Sequence, residues 1–371
     1  MAAYRRAVDL RPDEPDAYLH MGNALLLDGH GAAEAAKYFT RALELRPAFE
    51  KARFNLAVTQ LACGNLTAGW KDFDLRFDPE FGSQQVPYFV FSQPAWQGEN
   101  LRGKSLLVWG EQGVGDQIQF ASLLPALIER AGQVTVVCLP KLLPLFARSF
   151  PAAVVTAQMP TGPAADFDFH CAAGSAARWL RATVDSFPDR REYLTADPAR
   201  VAYWRERCAA FGAGPAVGFS WRSGNQRGDR VLWCTVLDDW RPLFDTAGVH
   251  WVSLQYDDCA AELDAARHAH GVDLRHLPEV DMLNDLDETA ALMTALDLVI
   301  ATPSTVSLLA AALGIETWQM TYGYDWQTHG TGRNQWFPAM RQFWRSRNAG
   351  WNEVVARMAP EFVARVKAHE R

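Results

Sequence analysis

An internal period of 35 residues governs the first part of the chain. Pro12 recurs as Pro47, Ala7 as Ala42, Leu10 as Leu45 and Gly29 as Gly64 at that spacing, and Met21-Gly22 returns as Leu56-Ala57. Phe39 recurs as Phe73, 34 residues on. A unit this short cannot bury a hydrophobic face alone, so such units stack on their neighbours. Small residues at Gly22, Ala35 and Ala42 let two helices approach closely, while Tyr18, Met21, Leu25 and Phe39 fill the space between them. The period predicts a stack of helical hairpins that leans on whatever follows it.

The stretch from roughly residue 15 to 76 resembles the tetratricopeptide repeat (TPR), a helix–turn–helix unit of about 34 residues, with one extra residue in the His30-Gly31 turn. Residues 3–12 are similar to the second helix of such a unit, so the array either begins with a half unit or continues upstream. A repeat array serves as plain scaffolding or as a concave surface for a protein or peptide partner.

The 371 residues suffice for two or three domains. With 49% hydrophobic and 21% charged residues the composition is that of a soluble protein, and a net charge of −7 argues against a nucleic-acid surface. No apolar run reaches spanning length, so no transmembrane segment is expected. The six cysteines lie far apart with no Cys-x-x-Cys pair, which suits reduced thiols and a cytoplasmic location. Many of the 14 tryptophans sit in separate segments (Trp96, Trp109, Trp221, Trp318, Trp336), so no single repeat accounts for them.

Hydrophobic patterning divides the chain into helical repeats over 1–78, a connector over 79–100, a first α/β half over 101–212, a second over 213–345 and a closing helix over 346–371. In the connector, Gly98-Glu-Asn-Leu-Arg-Gly-Lys-Ser105 matches the Walker A pattern. A P-loop must follow a strand and open a helix, whereas here the strand Leu106–Trp109 comes afterwards, so Gly103-Lys104 reads as the turn entering that strand.

After this strand comes Gly110-Glu-Gln-Gly-Val-Gly-Asp116 and then a helical run. Gly113 and Gly115 let a ligand or backbone approach closely and leave the helix N-terminus open, as in a phosphate loop. Glu111 and Asp116 are the carboxylates best placed at the carboxyl edge of a sheet, although Asp116 also suits a helix cap. His170 sits between apolar neighbours and reads as a core or edge histidine in preference to a catalytic one.

In the second half, the strand Ala216–Trp221 leads into Arg222, Ser223, Asn225, Arg227 and Arg230, which suit either a diphosphate clamp or a solvated turn. The next strand ends in Gln255. The run Asp297–Gly314 reads as a buried strand, a tight turn and a helix that Gly314 ends. Pro303, Ser304 and Thr305 mark the helix start, with Ser307 in the first turn. Free N–H groups and the helix dipole make such a junction an anion site, although Ser304 alone would also cap it. Asp285-x-Asp287 and Asp166-x-Asp168 suit capping or strand-edge roles, so no metal is assigned. The final segment carries Trp351, Val354, Val355, Met358, Phe362 and Val366 at helical spacing.

Taken together, Gly110-Glu-Gln-Gly-Val-Gly-Asp-Gln-Ile-Gln-Phe120, Val217-Gly-Phe-Ser-Trp221, Asp287–Ile300 with its following helix, and Trp336–Arg341 carry a resemblance. The chain resembles bacterial TPR-containing glycosyltransferases related to the ADP-heptose:lipopolysaccharide heptosyltransferases (glycosyltransferase family nine). The resemblance implies α-helical TPR repeats followed by a GT-B fold, two Rossmann-like α/β halves with a cleft between them. It implies an inverting, metal-independent glycosyltransferase that uses a nucleotide-sugar as substrate and no cofactor. Asp116 falls on the family's general base, Arg222, Arg227 or Arg230 on its donor-phosphate contact, and Ser304 and Thr305 on its diphosphate contact. The repeats would present a protein or peptide acceptor. Where the family has Asp-Thr-x-x-x-His, this chain reads Pro303-Ser304 and then Leu308. That departure supplies the alternative, a catalytically degenerate scaffold for protein–protein interaction.

Overall fold

The computed structural model describes residues 1–27, 31–78, 89–160, 166–224, 226 and 228–369. They form two compact units. The first comprises Met1–Cys138, Ala152–Asp189 and Gly323–Trp336, and the second Leu139–Pro151, Arg190–Tyr322 and Phe337–Arg371. The boundaries therefore differ from those drawn along the sequence: 139–151 and 190–212 join the second unit, and 323–336 joins the first.

The chain opens with α1 (Ala2–Leu10), α2 (Pro15–Leu27), α3 (Ala32–Leu45), α4 (Glu50–Ala62) and α5 (Leu66–Asp72), then a 3-10 turn, Phe73–Phe77. Neighbours in sequence pack on each other from α2 to α5, as the period predicts. Gly22 is needed for this packing, because a Cβ there would lie 2.5 Å from the Phe39 ring. Phe39, Ala35 and Ala42 are fully buried beneath it. Gly64 carries a left-handed φ of +82° at the end of α4; Gly29, its counterpart, lies outside the described residues, as do residues 79–88 of the connector.

Continuing along the chain come β1 (Ser105–Trp109), α6 (Val114–Ala121), α7 (Leu124–Arg130), β2 (Gln133–Val137), α8 (Leu143–Ser149, in the second unit), β3 (Val154–Thr156), β4 (Phe169–Ala172) and α9 (Ala177–Leu180). The four strands form a parallel sheet in the order β3-β2-β1-β4. Leu106–Trp109 are all buried, the unbroken apolar run expected of a parallel strand covered on both faces. Gly103, at φ +72°, turns the chain into β1. Lys104 and Ser105 are bonded to Asp168, which places that carboxylate in a strand-edge role.

The segment 323–336 joins the first unit through its rings. The Trp70 indole meets those of Trp326 and Trp336 edge-on at 6.0 and 6.2 Å. His329 is buried among them at φ +48°. Its Nδ1 donates to the Leu61 carbonyl at 3.0 Å, and its Nε2 accepts from the Trp336 indole at 3.1 Å. Each such aromatic pair adds about 0.5–1.5 kcal/mol beyond area burial, which explains why this stretch packs here and accounts for part of the tryptophan content.

The second unit adds α10 (Pro198–Ala209), β5 (Ala216–Ser220), α11 (Arg241–Phe244), β6 (His250–Ser253), α12 (Ala260–His270), β7 (Leu274–Arg275), α13 (Leu286–Thr294), β8 (Leu298–Ala301), α14 (Thr305–Ala312), β9 (Thr317–Tyr322), β10 (Met340–Arg345) and α15 (Trp351–His369). Its sheet is parallel, in the order β10-β9-β8-β5-β6-β7. Asp285 caps α13 through the Glu288 N–H, and Asp287 takes both ends of the Arg148 guanidinium at 2.6 and 2.7 Å. Asp285 thus has the capping role its position predicts, whereas Asp287 serves as an ion-pair partner of Arg148. The stripe Trp351, Val354, Val355, Met358, Phe362 and Val366 is buried against the second sheet, with Phe362 on Trp251 at 5.4 Å.

Candidate functional site

In an open parallel sheet, ligands bind outside the carboxyl ends of the strands where the strand order reverses. Each unit has one such point. In the first sheet it lies between β1 and β4, and in the second between β5 and β8.

At the first point, Gln112 takes a left-handed φ of +56° so that the chain can turn from β1 into α6. Gly113 precedes the helix and Gly115 lies in its first turn. Asp116 is half-buried, and its Oδ2 accepts from the Gly113 N–H at 3.1 Å. Glu111 does not face an open edge as the sequence led us to expect. It is fully buried, taking Arg76 Nε and Nη2 at 2.5 and 2.8 Å and the Gly174 N–H at 2.7 Å. Burying a carboxylate is expensive unless it is paired and hydrogen-bonded, and Arg76 supplies both. Arg76 itself is 2% exposed, bonded to Asp74 and Ser175, and stacked on Phe73 and Phe77. Sequence reasoning passed over Arg76. Its signal was an arginine set within the aromatic run Phe73-Asp-Leu-Arg-Phe77.

His170 is half-buried, lies 4.4 Å from the Phe91 ring, and is made less basic by burial, as its apolar flanks predict. Burial also pushes His329 down to about 4, so that ring is neutral in the tautomer its two bonds require.

The second point is lined by the segment after β5 and the segment after β8. Arg222, expected as a phosphate clamp, is instead neutralised within its own unit. Its Nε meets Asp257 Oδ2 at 3.1 Å, Nη1 reaches Glu262 and Nη2 the Asp258 carbonyl. Gln255 is buried and fully engaged rather than open to a ligand. Its Oε1 accepts from Ser220 Oγ at 3.0 Å, and its Nε2 donates to the Arg222 carbonyl and Asp257. Ser223 lies 3.4 Å from the Tyr256 hydroxyl, which accepts the Gly224 N–H at 2.8 Å. Arg230 is exposed, while Asn225 and Arg227 lie outside the described residues.

After β8, Ser304 precedes α14 and Thr305 begins it, both half-buried. Ser307 is fully buried and engaged: its Oγ accepts from the Ser304 N–H and Gln319 Nε2 and donates to the Ser304 carbonyl. It shapes the turn rather than offering a hydroxyl. Thr302 was missed. It is fully buried where β8 ends, and its Oγ1 has no hydrogen-bond partner among the described residues. An unmet buried hydroxyl costs about 1–3 kcal/mol. It stands beside a helix N-terminus, where N–H groups and the dipole favour an anion. Among the described residues no group of three His, Cys, Asp or Glu side chains could hold a metal ion, and no helix is long and apolar enough to cross a membrane.

No protein-family model matches the chain. It is 34% identical over 323 residues to Protein FlbA of Caulobacter vibrioides, covering 83% of this chain and 54% of that protein. The chain thus spans about half the length of that relative. Among solved structures it is similar to a glycosyl transferase family 9 protein from Veillonella parvula, at TM-score 0.51 and 11% identity over 71% of this chain and 96% of that one. It is also similar to the E. coli ADP-heptose lps heptosyltransferase II, at TM-score 0.52 and 14% identity over 71% of this chain and 99% of that one. The two parallel-sheet units therefore have a GT-B-like fold, and the first of them opens with a helical region.

Proposed function

We propose that the protein is a heptosyltransferase-like glycosyltransferase that binds a nucleotide-sugar on its second unit. The observation that carries this reading is the β8–α14 junction. There a buried Thr302 hydroxyl with no partner among the described residues, the half-buried Ser304 and Thr305 and a helix N-terminus meet at the switch point of the sheet. The corresponding point of the first sheet is already filled by the Arg76–Glu111 pair, which favours the second sheet for the donor.

In this reading the diphosphate lies on the α14 N-terminus, with Arg230 supplying positive charge. Asp116 takes the proton of an acceptor hydroxyl. The oxygen so activated attacks the anomeric carbon, the bond from that carbon to the phosphate oxygen breaks, and the diphosphate leaves with the electron pair, inverting the configuration. Charge on the leaving group is taken up by the helix end and Arg230, with no metal required. One donor of this kind is worth about 2.7–4 kcal/mol at oxyanion sites. The helical region presents a protein or peptide acceptor, a role supported by its stacked 35-residue units.

The engagement of Arg222 by Asp257 and Glu262, with Pro303 and Leu308 where the resembling family has Asp and His, favours a second reading, an inert GT-B-like scaffold for partners. Thermal shift and calorimetry across nucleoside diphosphates and nucleotide-sugars separate the two. A ligand at 100 times its Kd stabilises by about 2.7 kcal/mol. A response to one nucleotide, lost in Ser304→Ala/Thr305→Ala, supports the transferase; flat curves across the panel sink it in favour of the scaffold.

A further inference from the structure

The helical region reaches into the chemistry of the first sheet through one side chain. Arg76 leaves the 3-10 turn after α5 and places its guanidinium outside the carboxyl ends of β1 and β4, the switch point of that sheet. There its Nε and Nη2 hold both oxygens of Glu111, and Nη2 also reaches Ser175 Oγ at 3.0 Å. Ser175 Oγ donates in turn to Asp74 Oδ1 at 2.6 Å, closing the cluster.

Glu111 opens the turn that carries Asp116. The next residue, Gln112, has a left-handed φ that a side chain adopts only when its surroundings impose it. Gly113 follows, and its N–H is the donor to Asp116 Oδ2. Fixing Glu111 by two bonds to Arg76 and one from the Gly174 N–H therefore fixes the start of this strained turn, and with it the carboxylate at its end. The guanidinium fork suits this task because it presents two parallel donors in one plane, which a lysine cannot.

The geometry points to Arg76 as a positioning residue for Asp116, acting through Glu111. The helical region is then a working part of the transferase half and not only a platform for a partner. The inference rests on the transferase reading for the role of Asp116, but the restraint on the turn does not.

The test uses the full chain and three variants: Arg76→Lys, Arg76→Met, and the charge-neutral Arg76→Met/Glu111→Gln, which keeps an acceptor for the Gly174 N–H. Hydrogen exchange across residues 110–121 is measured without ligand. Turnover is measured as hydrolysis of whichever nucleotide-sugar the binding panel identifies, over a range of pH. Arg76→Met alone leaves a buried carboxylate unpaired, so loss of folding there decides nothing and the double variant carries the argument.

The double variant should melt near wild type yet exchange faster in 110–121. Its kcat should fall roughly 10–100-fold, as a small misplacement of a reacting group does, with the donor KM within about twofold of wild type. The acid limb of its pH–rate profile should move, and Arg76→Lys should recover part of the loss. If the pair serves only to cancel charge, the double variant keeps wild-type exchange and kcat, and the inference is overturned. If no nucleotide-sugar is turned over by wild type, the transferase reading fails, while unchanged exchange in the double variant still refutes the restraint by itself.

Discussion

Replacing His329 by asparagine should flatten the acid sensitivity of the first unit. The imidazole is buried and neutral, donating from Nδ1 to the Leu61 carbonyl and accepting at Nε2 from the Trp336 indole. Burial holds the group down at about 4 against an ordinary 6.5, and a proton on Nε2 would face the indole N–H. Above pH 6.5 folded and unfolded chains both carry a neutral ring, and the full stability is present. As pH falls below 6.5 the unfolded chain takes up a proton first, so stability drops until the folded group also titrates near 4. At roughly 1.36 kcal/mol per pKa unit the loss across that window is about 3 kcal/mol. Asparagine tolerates the positive φ at this position. The variant should lose about 1–3 kcal/mol at neutral pH from packing and unmade hydrogen bonds, but lose less on acidification than wild type. The assay is hydrogen exchange of amides in α4 and the 323–336 segment between pH 4.5 and 7.5, corrected for intrinsic exchange rates. Asp168, whose pKa is lowered first by its bond from the Ser105 N–H, contributes equally to both proteins and cancels in the difference. Parallel curves for the two proteins would refute the neutral, doubly bonded ring.

Gly22→Ala should destabilise the helical region although alanine is the better helix former by about 1 kcal/mol. The added Cβ would sit 2.5 Å from the fully buried Phe39 ring, and a shift to lower melting temperature, relieved by Phe39→Leu, checks this. Gly174→Ala would put a methyl 2.8 Å from both Glu111 Oε1 and the Phe120 ring; overpacking of this kind costs about 1–3 kcal/mol, read from urea unfolding. Arg222→Gln should cost the second unit about 1–2 kcal/mol, since the half-exposed Glu262 regains water once its partner is gone. By calorimetry its nucleotide affinity should change less than that of Ser304→Ala/Thr305→Ala; selective loss of affinity with intact stability would instead make Arg222 a donor contact.

Local chemistry made some of these features readable in advance. The run Leu298–Ala301 is apolar and continuous, Pro303 and Ser304 punctuate it, and Gly314 stops the helix at a positive φ, so strand, turn and helix followed from neighbouring residues. The helix packing of the first region was likewise legible, because the 35-residue period reports the same contact more than once. What stayed hidden depended on partners distant in sequence. Nothing near Glu111 announces that Arg76, 35 residues earlier, will seal it from solvent. Arg222 looked like one of three clustered arginines until Asp257 and Glu262 claimed it. Ser307 reads as one more hydroxyl beside a helix start, and only Gln319 on the adjoining strand shows it to be occupied. The membership of 323–336 depends on rings contributed by α5 and the turn after it, far back in the chain.

That last segment constrains how the protein can be made. The core of the first unit includes Trp326, His329 and Trp336, so a ribosome that has released only residues 1–322 has not yet supplied the rings that close it. The usual order, in which a domain matures while the segments after it are still being synthesised, is closed to this unit until 323–336 are made. Trp70, Phe73 and Leu61 must wait, with apolar surface uncovered, until residues 323–336 have emerged. A nascent chain stalled before residue 323 should therefore bind holdase chaperones and be cut readily near α4 and α5, and one stalled beyond residue 336 and clear of the exit tunnel should not.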